Sequence, residues 1–304
     1  MGSRLLFVRR FFVTSIFVLA SIAAFSQTYI LNEDFSSASG TTPPEGWSNV
    51  AVTGDAEDLW RFDNAGGISV SYPATGKMAI LDGHYLSTVS PASDPGKTSE
   101  QTPITVSLET KYIDCSISNN ILLMFHQWFV PDTSVTKGIV EVWDGTQWHE
   151  VAQFTDSTDN VEYKIINVSQ YLGGVSDAKV RFKWDGVRKG WWAIDNFKVY
   201  APLSLDASLD NISNPRMPFQ SGTQDIKVDI SNLGINTLTS LKINWEINGT
   251  AQTPFNWTGS LALGEIAEGV KIGSYNFKDG EKVNLRIWVS DPNGRLMVMI
   301  RIMN

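Results

Sequence analysis

The chain has 304 residues, with 32 acidic side chains against 24 Lys and Arg, three histidines and one cysteine. A net charge of -8 repels phosphate backbones and argues against nucleic acid as a partner. With Cys115 alone no intrachain disulfide can form, so the fold must rest on its core or on a bound ion.

At the start, Arg4, Arg9 and Arg10 precede an apolar run over residues 11–20, and small residues follow up to Ser26. That order predicts a secretory signal peptide over residues 1–26 and a secreted or cell-surface protein. Its removal takes away three arginines and no acid, moving the net charge from -8 to -11. A retained membrane anchor is the competing reading, but the run is short for spanning a bilayer. No later stretch could cross a membrane as a helix.

Beyond Gln27 a period of two dominates, and no amphipathic helix competes with it, which predicts an all-β protein. On the first strand Tyr29, Leu31, Glu33 and Phe35 share a face, so a carboxylate stands among apolar neighbours. Asp55, Glu57 and Asp58 precede Leu59 and Trp60 without the alternation of an EF-hand, and read as a solvated loop. Cys115 alternates with Ile113 and Ile117 and reads as a packed strand residue rather than a nucleophile. Residues 121–129 are almost continuously apolar, as in a strand covered on both faces. Residues 138–143 and 147–151 read as two strands about an Asp144-Gly145 turn. Over residues 178–184 apolar side chains alternate with Lys179, Arg181 and Lys183.

Residues 190–200 place Trp191, Ala193, Asp195, Phe197 and Val199 on one side of a strand, and Trp192, Ile194, Asn196, Lys198 and Tyr200 on the other. Pro202 then interrupts the pattern and marks a boundary between two domains, residues 28–200 and 203–304. Alternation resumes at residues 225–230, 241–247 and 283–289, with a hairpin signal at Asn248-Gly249. Strands spaced in this way fit an immunoglobulin-like β-sandwich.

With Glu33-Asp34-Phe35, Pro43-Pro44-Glu45-Gly46-Trp47, Leu59-Trp60-Arg61-Phe62, Val140 to Gly145, Val180-Arg181-Phe182 and Trp191 to Phe197 in register, residues 28–200 resemble the choice-of-anchor J modules. These are related to the cleaved-adhesin domains of gingipains and more loosely to MAM domains. Residues 203–304 resemble, through Val228 to Gly234, Ile247-Asn248-Gly249 and Asp291 to Gly294, the CARDB-type modules of secreted Bacteroidetes proteins. The resemblance implies a jelly-roll β-sandwich, often calcium-bearing, and surface attachment or accessory work rather than catalysis.

An unpaired buried charge is costly, so Glu33 and Asp195 each need an explanation. If the first and last strands of the domain pair, the two acids meet, and a structural Ca²⁺ would hold both, with Asp34 and Asn196 as further oxygen ligands. Salt bridges to Arg61 or Arg181, or a bend exposing both acids, are the alternatives. Of the eleven tryptophans, Trp184 and Trp245 read as core, while Trp192 and Trp288 stand on polar or mixed faces and are candidates for stacking on a sugar. His84, His126 and His149 are isolated, and the Ser134-x-x-Lys137 match lacks the helix that frames that motif, so no enzyme is expected. The expectation is a non-enzymatic surface protein that binds an extracellular protein or glycan, with a carbohydrate-binding accessory module of a degrading system as the alternative.

Overall fold

The computed structural model describes residues 28–303 except 71–73, 75, 91–98, 133–134, 217–218, 280–281 and 296–297. The expected signal peptide and Ser134 lie outside the described residues. Ten strands come first: β1 (Thr28–Glu33), β2 (Ser48–Thr53), β3 (Ala79–Asp82), β4 (Pro103–Glu109), β5 (Leu122–Pro131), β6 (Lys137–Trp143), β7 (Trp148–Phe154), β8 (Glu162–Asn167), β9 (Lys179–Val187) and β10 (Gly190–Ala201). Two short helices, α1 (Gly83–Val89) and α2 (Ser169–Leu172), sit between them. One sheet has the order β1-β10-β5-β8, with β3 beside β10, and the other β2-β4-β9-β6-β7. Their pairings are antiparallel, and the two sheets close as a jelly-roll sandwich.

Alternation builds the core between the sheets. Val180, Phe182 and Trp184 of β9 and Val140 and Val142 of β6 face inward, against Phe125, Phe129, Trp192 and Phe197 of the opposite sheet. Burying each such side chain contributes about 1.5–3 kcal/mol. Gly138 is needed on β6, since a Cβ there would stand 3.1 Å from the rings of Phe129 and Trp192. Cys115 is fully buried in this core and its thiol is pushed up to about 12 by burial and by Asp114, as expected of a packed residue. It lies outside the strands, however, and Ile117, expected on its face, is 61% exposed in a turn. The cations that alternate along β9 face outward, where Arg181 and Lys183 both bond Glu141 and the Arg181 guanidinium lies 4.1 Å above the Trp148 ring.

The second sandwich contains β11 (Ala207–Asn214), β12 (Gly222–Asn232), β13 (Leu238–Ile247), β14 (Thr250–Ala251), β15 (Phe255–Leu261), β16 (Ile266–Phe277), β17 (Leu285–Ser290) and β18 (Val298–Met303). A three-stranded sheet β11-β12-β16 faces a five-stranded one, β14-β13-β17-β18 with β15 beside β13. Ile226, Val228 and Ile230 meet Ile243, Trp245, Ile287 and Val289 between them. Asn248 and Gly249 both take positive φ, 48° and 78°, and turn the chain from β13 to β14.

Residues 202–206 join the sandwiches without slack. Leu203 and Ser204 carbonyls accept from the Ile235 and Asn236 amides at 2.8 and 2.9 Å, and the Tyr200 hydroxyl donates to the buried Asp206 carboxylate. Leu122, Met124 and Tyr200 on the outer face of the first sheet pack with Leu233, and Ile165 and Leu263 lie against them.

Candidate functional site

β1 and β10 do pair, with Glu33 opposite Phe197 and Leu31 opposite Val199. The even alternation expected along β10 does not hold, however. Trp192 and Ile194 belong to the core between the sheets, and so do Phe197 and Val199. The inward positions change parity at a bulge, where Asn196 takes φ 53° and the register against β5 shifts between Asp195 and Lys198. Such a bulge inserts a residue and re-aims its neighbours. Asp195 is thereby placed on the outer face, opposite His126, while Glu33 keeps the inward register of Phe197.

The proposed ligands then serve separate local purposes. Glu33 accepts the Phe35 amide at 2.6 Å, and burial pushes its carboxyl above the usual range. Asp34 is exposed and accepts the Ser36 amide at 2.9 Å, and Asp195 accepts the Asn196 amide at 2.7 Å. Among the described residues no group of three or more His, Cys, Asp and Glu side chains is placed to hold a metal ion. Glu33, Asp34, Asp195 and Asn196 thus do not fit a Ca²⁺ cage built from side chains. Exposure does not explain Asp195 either, since it is 2% accessible. Arg61 is engaged by Asp63, and Arg181 by Glu141.

Trp192 requires a correction. It is fully buried, its ring 5.5 Å from Trp60 and 5.7 Å from Phe129, and its Nε1 donates to Gln127 at 3.0 Å, so no sugar can reach it. It faces inward because the strand carries its core set at even positions before the bulge. Trp288 remains half-buried on β17 opposite Asn244, with the Arg286 guanidinium 5.3 Å from its ring. Trp184 and Trp245 are buried, as the alternation predicts. The Asp55-Asp58 stretch is no solvated loop, because Asp58 is fully buried against Arg188.

A concavity of about 850 Å³ lies where the two sandwiches meet. One wall is the outer face of β5 and β8 with the connection 155–161, and the other comes from β11, β12 and the start of β16. On β5 the odd positions Leu123, Phe125 and Phe129 face the core, which turns His126 outward. His126 pairs with Tyr163 of β8, their rings 5.0 Å apart and inclined by 35°. A row of Asp195, His126 and Tyr163 therefore crosses three strands on this face.

The connection 155–161 is pinned to the first sandwich through Thr158, whose amide donates to the Phe129 carbonyl at 2.8 Å and whose carbonyl accepts from Trp128 Nε1 at 3.1 Å. That leaves Asp156, Ser157, Asp159 and Asn160 exposed at the rim. Across the cleft, Asp229 accepts the Gly269 amide at 2.7 Å and Asp210 accepts the Ser231 hydroxyl at 3.0 Å, so both carboxylates are held in fixed directions. Glu162 accepts Gln127 Nε2 at 2.7 Å and Lys164 at 2.9 Å. Among the lining atoms, His126 Nδ1 and Ser213 Oγ are buried with no hydrogen-bond partner among the described residues. Burial, and after it the charge of Lys198, pushes His126 down to about 4, so the ring is neutral. The wall thus combines rings, carboxylates, amides and hydroxyls.

The cleft was not legible as a site in the sequence. Its signals were the polar run from Thr155 to Asn160 and the single histidine interrupting the apolar strand 121–129, and neither says that another sandwich stands opposite.

No family model matches the chain, and no curated protein matches it. Among solved structures it is similar to TmCBM61 in complex with beta-1,4-galactotriose, at 13% identity over 58% of this chain and 99% of that one, with a TM-score of 0.39. A cleaved adhesin domain of Lys-gingipain from Porphyromonas gingivalis matches at 12% identity over 56% of this chain and 97% of that one, TM-score 0.41. A beta-glucuronidase of Bacteroides uniformis matches 80% of this chain and 30% of its own, at 10% identity and a TM-score of 0.33. The all-β architecture rests on the strand registers described above.

Proposed function

We propose that this is an extracellular, non-catalytic binding protein that holds a glycan in the cleft between its sandwiches, and so attaches to or presents carbohydrate at the cell surface. The observation that carries the reading is the pairing, in one concavity, of the His126–Tyr163 rings with the buried His126 Nδ1 and Ser213 Oγ, which meet no hydrogen-bond partner among the described residues. Sugars bring apolar ring faces for the former and hydroxyls for the latter. Catalysis finds less support. Asp229 and one oxygen of Asp210 accept hydrogen bonds within their own sandwich, and Cys115 lies buried in the core with a thiol that stays protonated. The signal peptide expected at residues 1–26 supports the location.

A glycan array probed with the purified protein tests this. Binding to a defined glycan set is expected, falling at least about tenfold in Tyr163→Ala with an unchanged circular dichroism spectrum, as the loss of one stacked ring implies. Binding to host protein with no response to any glycan, or a Tyr163→Ala variant that binds as wild type does, would sink the cleft reading.

A further inference from the structure

We infer that the cleft discriminates by charge, taking glycans with free amino sugars best, neutral glycans next, and turning away uronic-acid and sulfated ones; this rests on the glycan reading above. Six carboxylates line the cleft against two permanent cations, Lys164 and Arg216. Lys164 and Glu162 offset each other, the ammonium 2.9 Å from the carboxylate and 5.5 Å from the Phe154 ring, which leaves five carboxylates against Arg216. His126 adds no positive charge, because burial keeps the ring neutral. The acids come from both walls, Asp156 and Asp159 on one side and Asp229 and Glu268 on the other, so their fields converge on a bound ligand instead of spreading over an open surface.

A unit charge placed about 4 Å from another in a water-like medium changes affinity roughly five-fold, and more in a partly dehydrated cleft. The screening length at physiological salt is about 8 Å, comparable with the spacing across a site of this size. Like-charge contacts at a binding face act as a filter, since they penalise the wrong ligand without adding contacts to the right one.

Titration with matched oligosaccharides distinguishes the outcomes: chitosan oligomers, their N-acetylated counterparts, oligogalacturonate and a sulfated oligosaccharide, each at 20 mM and 500 mM NaCl. The expected order places chitosan first, with anionic oligomers bound at least about tenfold more weakly at low salt and the gap narrowing at high salt. Asp159→Asn combined with Glu268→Gln changes two exposed side chains and should recover anionic binding by about five-fold or more. Anionic oligomers bound as tightly as neutral ones, with Tyr163→Ala still abolishing binding, would overturn the charge filter while leaving the cleft as a glycan site. A discrimination unmoved by salt or by the double variant would overturn it too. Absence of binding to all four would defeat the glycan reading and this inference together.

Discussion

Arg188 carries a guanidinium into a place with no accessible surface, and the fold supplies the anions for it. Its Nε and Nη2 donate to Asp58 at 2.8 and 2.7 Å, and Nη2 also donates to Asp55 at 2.6 Å. Asp58 in turn accepts the Asp55 amide at 2.6 Å, so the turn and the ion pair are one unit. The two ends lie 130 residues apart, which joins the segment after β2 to the β9–β10 hairpin and serves as a clamp in a chain without a disulfide. Desolvating such a pair is expensive, yet removing one member is worse, because the other stays buried and uncompensated. Arg188→Met is therefore expected to cost about 3–5 kcal/mol in urea unfolding, and Arg188→Met with Asp58→Leu to recover much of that loss. A single-variant cost below about 1 kcal/mol would show the pair to be inessential. Local pattern at Asp55, Glu57 and Asp58 showed only three acids in a row of loop residues; the cation that makes them structural is distant in sequence.

At the scale of elements, alternation carried most of the fold and failed where a strand is interrupted. Tyr29 and Leu31 fall on opposite faces of β1 across a register shift, and the break at Asn196 has the larger consequence. β6, β9, β12, β13 and β17 stand where apolar and polar side chains alternate, and the Asp144-Gly145 and Asn248-Gly249 turns connect strands as their residue types require. β10 also forms where expected, but a period of two assumes an unbroken ladder. Asn196, in the left-handed region that Asn tolerates better than most residues, inserts one position and reverses the faces on either side. Two consequences follow from that single insertion: Trp192 goes into the core, and Asp195 is moved to the face opposite Glu33. Nothing in the residue types around Asn196 distinguishes a bulge from a regular strand, so the pairing of β1 with β10 was legible and the meeting of the two acids was not. Because the side chains at this seam are not gathered as a cage, EDTA should leave the melting temperature unchanged. A fall of several degrees that Ca²⁺ reverses, and that Asp195→Ala removes, would reinstate a cation between these strands.

For the whole molecule, the cleft exists only because the sandwiches are fixed against each other, and that depends on a small seam. Leu233 is buried against Leu122, Met124 and Tyr200, a Cβ placed on Gly264 would stand 3.5 Å from Ile165, and the Tyr200–Asp206 bond ties the end of β10 to the linker. Apolar contact at this seam holds the sandwiches together across the boundary that Pro202 marks. Placing a charge in it costs several kcal/mol, because the carboxylate has no partner there and can regain water only by parting the sandwiches. Each sandwich keeps its own core, so Leu233→Asp should unfold neither. Calorimetry is expected to resolve two transitions in the variant where wild type shows one coupled transition, and X-ray scattering to report a larger radius of gyration. Glycan binding should fall together with the separation, because His126 and Tyr163 stand on one wall while Asp229 and Ser213 stand on the other. If the sandwiches separate and affinity is retained, one wall suffices and the ligand is read by the first sandwich alone; if Leu233→Asp leaves the transition single, the seam is held by the Tyr200–Asp206 bond more than by apolar packing.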